Sequence, residues 1–285
     1  MVATPIGNAE DITPRALRAL SEADLIACED TRRTGRLLAA HNIRTPTVSY
    51  FEHNEERRTP ELLTRLQAGA TIALVSDAGT PAISDPGYRL VRAALDSGIR
   101  VVAVPGVSAV IAALSVAGLP TDRFVFEGFL PARGAARRHA LERLRGERRT
   151  IVFYEAARRL AETLEALAAT FGGERPAVVL RELTKVHEET VRGTLDELAA
   201  HFKRNEALGE VTVVVAGSGD QNRHGDQDRG SVPAEADEAA ALALLRAAGL
   251  SLKDASEVIA KLSGVRRRDV YQRALRAADD TTPKS

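Results

Sequence analysis

The chain has 285 residues, 44% of them hydrophobic and 27% charged, with 39 basic side chains against 39 acidic ones. That length suits one large core or two modest ones, and a formal charge of zero excludes a protein drawn to nucleic acid or anionic membrane by its overall field. A lone cysteine, Cys28, excludes an intrachain disulfide and a cysteine-built zinc site; with no run of eighteen apolar residues and no apolar leader, a cytoplasmic location is expected.

Short apolar runs alternate with helical patterns in the first part, as in a parallel sheet with crossover helices. Strands are expected at residues 24–28, 71–75 and 100–104, and helices at 14–20, 32–40, 60–67, 88–97 and 107–117. Thr13 before Pro14 is a start signal, with proline at the first helical position. Residues 107–117 are apolar nearly all round, which predicts a buried helix. The break at Leu119-Pro120-Thr121-Asp122 divides an amino-terminal α/β domain, 1–119, from a second one, 120–217. Strands there are expected at 124–129, 150–154, 177–181 and 210–216, helices at 135–145 and 158–170, and a partly antiparallel sheet. Residues 218–237 are polar and rich in Gly and Asp, the composition of a flexible linker. Three short helices, 238–248, 252–262 and 267–278, complete a helix-turn-helix-like unit at 238–279, with Gly249 and Gly264 as stops and Ser251 and Ser263 near the starts.

The densest signal is at residues 71–88, where a strand pattern breaks into Asp77-Ala78-Gly79-Thr80-Pro81 and then Ser84-Asp85-Pro86-Gly87. Both are turn sequences at the carboxyl end of a strand, where parallel α/β sheets bind ligands. Neither GxxxxGK[ST] nor GxGxxG occurs, so no phosphate cradle is indicated. From turn chemistry alone these segments either bind a small polar ligand or close βα units, and both readings stand. Residues 49–55, with Glu52, His53 and Asn54, offer polar groups, and an imidazole titrates where a base is needed. Residues 181–189 hold Arg181, Glu182, Lys185 and Glu188, and Lys185 is one of five lysines beside 34 arginines. A lysine desolvated next to Arg181 would lose its proton and act as a base; alternatively these residues form a surface ion-pair network. Residues 131–149 carry seven arginines against two glutamates, and 261–276 six basic residues against one aspartate, either RNA-binding or solvated faces. Tyr154 either stacks on a base or is a core residue with a polar tip.

Thr4-Pro5-Ile6-Gly7-Asn8, Cys28-Glu29-Asp30-Thr31-Arg32, SDAGTPAISDPG at 76–87 and RELTKVHEE at 181–189 occur in that order. Together they resemble the ribosomal RNA small-subunit methyltransferase I family, of the tetrapyrrole-methylase class of S-adenosylmethionine-dependent enzymes. The resemblance implies a two-domain class III methyltransferase α/β fold with a small helical tail, and S-adenosylmethionine as cofactor. It implies 2′-O-methylation of a cytidine in the decoding region of 16S ribosomal RNA, with the 30S subunit as partner, a homodimer, and no metal or membrane. It assigns the cofactor to Pro5, Asp77, Ala78, Gly79, Thr80, Ile83, Asp85, Pro105, Gly106, Ser108, Ala109 and Tyr154. Catalysis falls to Lys185, Glu182 and His53, and RNA contact to Arg32, Arg33, Arg133, Arg137, Arg138, Arg159, Arg181, Arg267 and Arg268. The chain departs from the family at Phe51, where many members carry His, and at Ala157-Arg158, where Pro-His is usual. It also has fewer residues before Val2-Ala3-Thr4 than the family's first strand, as a misassigned start would produce. A carbon methylase of tetrapyrroles and a non-catalytic ribosome-assembly factor are the competing readings.

Overall fold

A computed structural model describes residues 1–219 and, beyond them, 241, 245–246, 249–263, 267–268, 270–272 and 274. The chain divides into two compact units, Met1–Asn222 and Arg223–Ser285.

The first unit contains two sheets. In the smaller, β1 (Leu25–Cys28) lies between β2 (Thr47–Ser49) and β3 (Ile72–Leu74), all parallel. Side chains alternate across it: Ile26 and Cys28 pack with Leu20 and Leu38 on one face, Leu25 and Ala27 with Tyr50, Leu62 and Leu90 on the other. Helices α1 (Pro14–Glu22), α2 (Thr31–Ala40), α3 (Glu55–Gln67) and α4 (Tyr88–Asp96) supply these covers. Thr13 caps α1 by accepting from the Ala16 amide at 3.0 Å, with Pro14 at its start as expected.

Residues 1–4 lie along β3: the Val2 amide donates to Leu74 O at 2.9 Å, and the Ala3 amide to Val104 O at 3.1 Å. The strand expected at 100–104 is reduced to a single bridge, Val2 to Val104. Two further expectations shift. α3 begins at Glu55 and carries Pro60 within it, five residues before the proline taken as its start. β2 was not expected, being three residues long and only half-buried.

The larger sheet contains β4 (Phe124–Phe129), β5 (Thr150–Ala156), β6 (Pro176–Arg181), β7 (Glu189–Thr194) and β8 (Glu210–Val215), in the order β4-β5-β8-β6-β7. Only β4 and β5 are parallel, so the sheet is partly antiparallel as expected. Helices α6 (Gly134–Leu144), α7 (Leu160–Phe171) and α8 (Leu195–Arg204) cover the face bearing Ile151, Phe153, Val179 and Val213. The opposite face, with Val152, Val178, Leu180 and Val214, is covered by α5 (Ala109–Ala117) through Val110, Ala113, Leu114 and Ala117. The helix expected to be buried is therefore packed on the sheet of the following half by one face only, and Ile111 and Val116 on its other face are exposed. β7 and α8 were not anticipated, although Thr194 and Glu197 form a capping box at the start of α8.

In the second unit α9 (Leu252–Ser263) starts after Ser251, whose Oγ accepts from the Asp254 amide at 3.2 Å. Ala255, Ile259 and Val270 form its core. The expected linker lies outside the described residues from 220 onward, as does most of the helices expected at 238–248 and 267–278.

Candidate functional site

A cleft of about 610 Å³ opens in the first unit between the two sheets. One wall comes from the turns after β3 and the start of α5: Ala78, Gly79, Thr80, Ile83, Asp85, Ser108 and Ala109. These seven are residues expected to hold a cofactor, and the fold brings them together. Tyr154 joins them from β5, half-buried against Phe126 at 4.9 Å and Phe129 at 5.6 Å between ring centroids. The other wall, residues 206–212 with Leu180 and Leu183, escaped sequence reasoning. Its signal was Leu208-Gly209, an apolar residue and a glycine just before a strand.

Four expected cofactor residues lie elsewhere. Pro5 and Asp77 line a separate recess, and Pro105 and Gly106 are exposed outside the cleft. Asp77 has a fixed role: its Oδ1 accepts from the Asp30 amide at 3.0 Å and its Oδ2 from Arg33 Nη1 at 3.1 Å. Gly106 is instead a packing glycine, since a Cβ there would come within 2.9 Å of Ala3 Cβ.

Apart from Asn42, the described non-glycine residues with left-handed backbone are Ala82 and Ser84, in the cleft turn, and Glu182 and Thr184, in the loop after β6. Such positions cost about 1–3 kcal/mol each and persist where surroundings hold them. The Glu182 amide donates to Glu210 O at 3.0 Å, and the Thr184 amide to Glu188 Oε2 at 2.6 Å. This loop is also fixed from the first sheet's side. The Asn8 amide donates to Thr184 Oγ1 at 3.0 Å, and a Cβ on Gly7 would lie 2.5 Å from Lys185 Cγ.

The electrostatics correct the expected base. Lys185 Nζ donates to Glu182 Oε1 at 2.9 Å and to Glu210 Oε2 at 3.1 Å. Partial burial pulls its pKa down, but the two carboxylates outweigh burial and raise it, so Lys185 stays an ammonium. Arg181 is not the neighbour that was expected to discharge it: it pairs with Glu189 at 2.9 Å. Glu182 is correspondingly held below the usual carboxylate range, by the Lys185 bond first and the Glu210 amide second. His53 is exposed outside the cleft, edge-on to Phe51 at 6.2 Å. Asn54 is buried and closes its own loop, accepting from the Phe51 amide and donating to Ser49 O.

The poised acid is Asp85. Burial, with the Asp77 charge added and the Ser76 hydroxyl opposing, pushes its carboxyl up to about 6. Tyr154 is raised by burial and then by the Asp85 charge.

The arginines divide by their partners. Arg137 is buried, and its guanidinium donates to Pro131 O at 3.0 Å, to Ala132 O, and to Glu162 at 3.1 Å. It clamps the turn before α6 and is inaccessible to RNA phosphate, which corrects that assignment. Arg159 is half-buried on the buried Glu155 at 2.5 Å. Arg32 is closed on Asp30 at 2.8 Å. Arg133 and Arg138 are exposed, and in the second unit Arg267 and Arg268 are exposed, with Arg267 3.5 Å from Glu257. Among the described residues no group of three or more His, Cys, Asp or Glu could hold a metal ion, and no helix is long and apolar enough to cross a membrane.

Comparison with known proteins follows this geometry. Residues 1–199 match the model for tetrapyrrole (corrin/porphyrin) methylases, and 232–278 match the RsmI C-terminal HTH domain. The ribosomal RNA small subunit methyltransferase I of Synechocystis sp. is 48% identical over 280 residues, covering 98% of each chain. The chain belongs to the ribosomal RNA small subunit methyltransferase I family. The Mycobacterium tuberculosis relative of the same name is 49% identical, covering 98% of this chain and 95% of its own. The Escherichia coli O157:H7 relative is 47% identical, covering 96% and 93%. Among solved structures, uroporphyrin-III C-methyltransferase from Thermus thermophilus, complexed with S-adenosyl homocysteine, superposes with a TM-score of 0.54 at 22% identity, covering 75% of this chain and 95% of that one. The cobalt precorrin-4 methyltransferase CbiF gives 0.58 at 21% identity, covering 75% and 92%. These two share the fold. Family membership carries the class of chemistry, methyl transfer from S-adenosylmethionine.

Proposed function

We propose that the chain methylates the ribose 2′-hydroxyl of a cytidine in the decoding region of 16S ribosomal RNA, acting on the 30S subunit. The observation that carries the reading is the cleft, because its lining fits S-adenosylmethionine group by group. Exposed Ile83, Phe129 and Leu208 offer apolar surface to a purine. Asp85 offers a carboxylate to a cationic head. At the start of α5 the Ser108 side chain makes no capping bond, so first-turn amides are available to a carboxylate.

S-adenosylmethionine supplies an activated methyl group and departs as a neutral thioether, so the protein mainly positions reactants and excludes water. Asp85 balances positive charge in the half-buried cleft. Lys185, fixed as an ammonium by Glu182 and Glu210, places a positive charge beside the loop held by Gly7 and Asn8, where an acceptor oxygen gains negative character. In this reading Lys185 orients the hydroxyl and stabilises the developing negative charge on its oxygen, while the displaced proton passes to solvent and not to Lys185. The arginines left exposed, Arg133 and Arg138, with Arg267 and Arg268 of the second unit, serve RNA phosphates.

The test is transfer of labelled methyl from S-adenosylmethionine to 30S subunits lacking the modification, with 2′-O-methyl mapping. One new mark on a decoding-region cytidine is expected. Cofactor binding without transfer to any ribosomal RNA would refute the reading and favour a non-catalytic assembly role.

A further inference from the structure

Residues 4–7 and 76–79 are shared between two concavities. Ile6, Ala78 and Gly79 line the cleft, whereas Pro5, Gly7 and Asp77 line a second recess of about 220 Å³. These two backbone segments thus form a wall common to both. The opposite wall is α2, which contributes Arg33 and Arg36. Arg36 is exposed and has no hydrogen-bond or ion-pair partner among the described residues. Arg33 uses Nη1 on Asp77, is 55% exposed, and has its other N–H groups free. Arg32, one residue away, differs: its Nε and Nη2 both close on Asp30, at 3.1 and 2.8 Å.

A free guanidinium fork at a polar recess matches a tetrahedral oxyanion. No aromatic side chain lines this recess. Unstacked bases are ordinarily held by aromatic rings or guanidinium planes, so backbone is the better occupant than base. A phosphodiester is joined directly to the ribose whose hydroxyl is methylated, and its seat must adjoin the cofactor site.

We infer that this recess seats the phosphodiester next to the methylated nucleotide, held by Arg36 and by the unengaged edge of Arg33. The inference rests on the RNA-methylation reading above and names its acceptor subsite. It makes Arg36 a positioning residue: it aligns the ribose without touching the reacting atoms.

The test compares wild type with Arg36→Gln and Arg36→Lys. Binding of a single-stranded decoding-region oligonucleotide and of 30S subunits is followed over a salt titration, alongside methyl transfer and cofactor affinity. Arg36→Gln is expected to weaken RNA binding about tenfold, as loss of a charged hydrogen bond does, and to flatten the log–log salt slope by about 0.7. Its KM for 30S should rise while cofactor affinity and melting temperature hold. Arg36→Lys should restore the slope but only part of the affinity. Wild-type affinity and slope in Arg36→Gln would overturn the inference. A wild type that binds RNA with an Arg36-dependent slope yet methylates no 30S cytidine would overturn the proposed target and support the seat. A wild type that binds no RNA would overturn both.

Discussion

Replacing Asp85 by asparagine probes the cleft directly, because the sign and pH range of its effect follow from its surroundings. Its carboxyl is pushed from 3.8 to about 6, chiefly by burial, whereas in the unfolded chain it titrates near ~3.9. Between these values the folded state binds the proton more tightly, so this contribution to stability is complete below about pH 4 and is lost as pH rises through 6. A shift of about two units corresponds to about 3 kcal/mol, and solvent screening at a half-buried position reduces this to about 1–2 kcal/mol. The Asp85→Asn protein should therefore be more stable than wild type by that amount at pH 8 and equal to it near pH 4, read by paired urea unfolding of the first unit. Cofactor binding should move the other way. At pH 8 the substitution should weaken S-adenosylmethionine by about tenfold, as loss of a charged partner does, and S-adenosylhomocysteine, which lacks the sulfonium charge, by less. In wild type the S-adenosylmethionine Kd should rise as pH falls through 6 and level off about tenfold higher, at the Asp85→Asn value, since only ionised Asp85 balances the cation. A stability gap that is flat with pH, or an Asp85→Asn protein less stable at pH 8, would refute the reasoning.

Lys185→Ala should lower single-turnover transfer by about a hundredfold, the scale of a lost electrostatic stabiliser, with calorimetric cofactor affinity unchanged; near-normal turnover would sink its role. The Lys185 pKa is raised, so no falling limb from its deprotonation should appear in the pH–rate profile below about pH 10. Gly7→Ala places a Cβ 2.8 Å from Thr184 Oγ1 and 2.5 Å from Lys185 Cγ, so activity should drop at least about tenfold for a displacement of 1 Å or less while circular dichroism stays native. Arg137→Ala should cost about 2–4 kcal/mol in unfolding, by leaving buried acceptors unpaired, yet leave the salt slope of RNA binding unchanged. Gly209 has φ +86° and a Cβ there would strike Glu182 Oε1; Gly209→Ala should destabilise by about 1–3 kcal/mol and release Lys185, seen as a lowered lysine pKa by NMR.

The legible parts of this fold were those where pattern and packing agree. Strands 150–154, 177–181 and 210–216 are governed by burial on both faces, which apolar runs report well. β2 and β7 were illegible because edge strands are short or polar: Thr47–Ser49 is half-buried throughout, and Glu189–Thr194 contains Gly193. The cleft turns at 77–85 were legible from Gly, Pro and Asp spacing. Their partner wall at 206–212 was not, because it depends on which distant segment the sheet order brings opposite. Lys185 shows the same limit at one residue. Sequence placed it beside Arg181, which would discharge it, but the register of β6 against β8 brings Glu210 within reach and reverses the sign.

The position of α5 constrains how this molecule is made. Its apolar residues Val110, Ala113, Leu114 and Ala117 need Val152, Val178, Leu180 and Val214 as cover. The last of these sits on β8, the last strand among the described residues and the middle one of its sheet. During translation α5 therefore emerges roughly a hundred residues before its cover is complete, an interval of ~5–20 s at ordinary elongation rates. Throughout that time the nascent chain presents a greasy helix to its surroundings, and its second sheet is split into two separate pairs of strands. Slow codons before residue 210 would lengthen that interval.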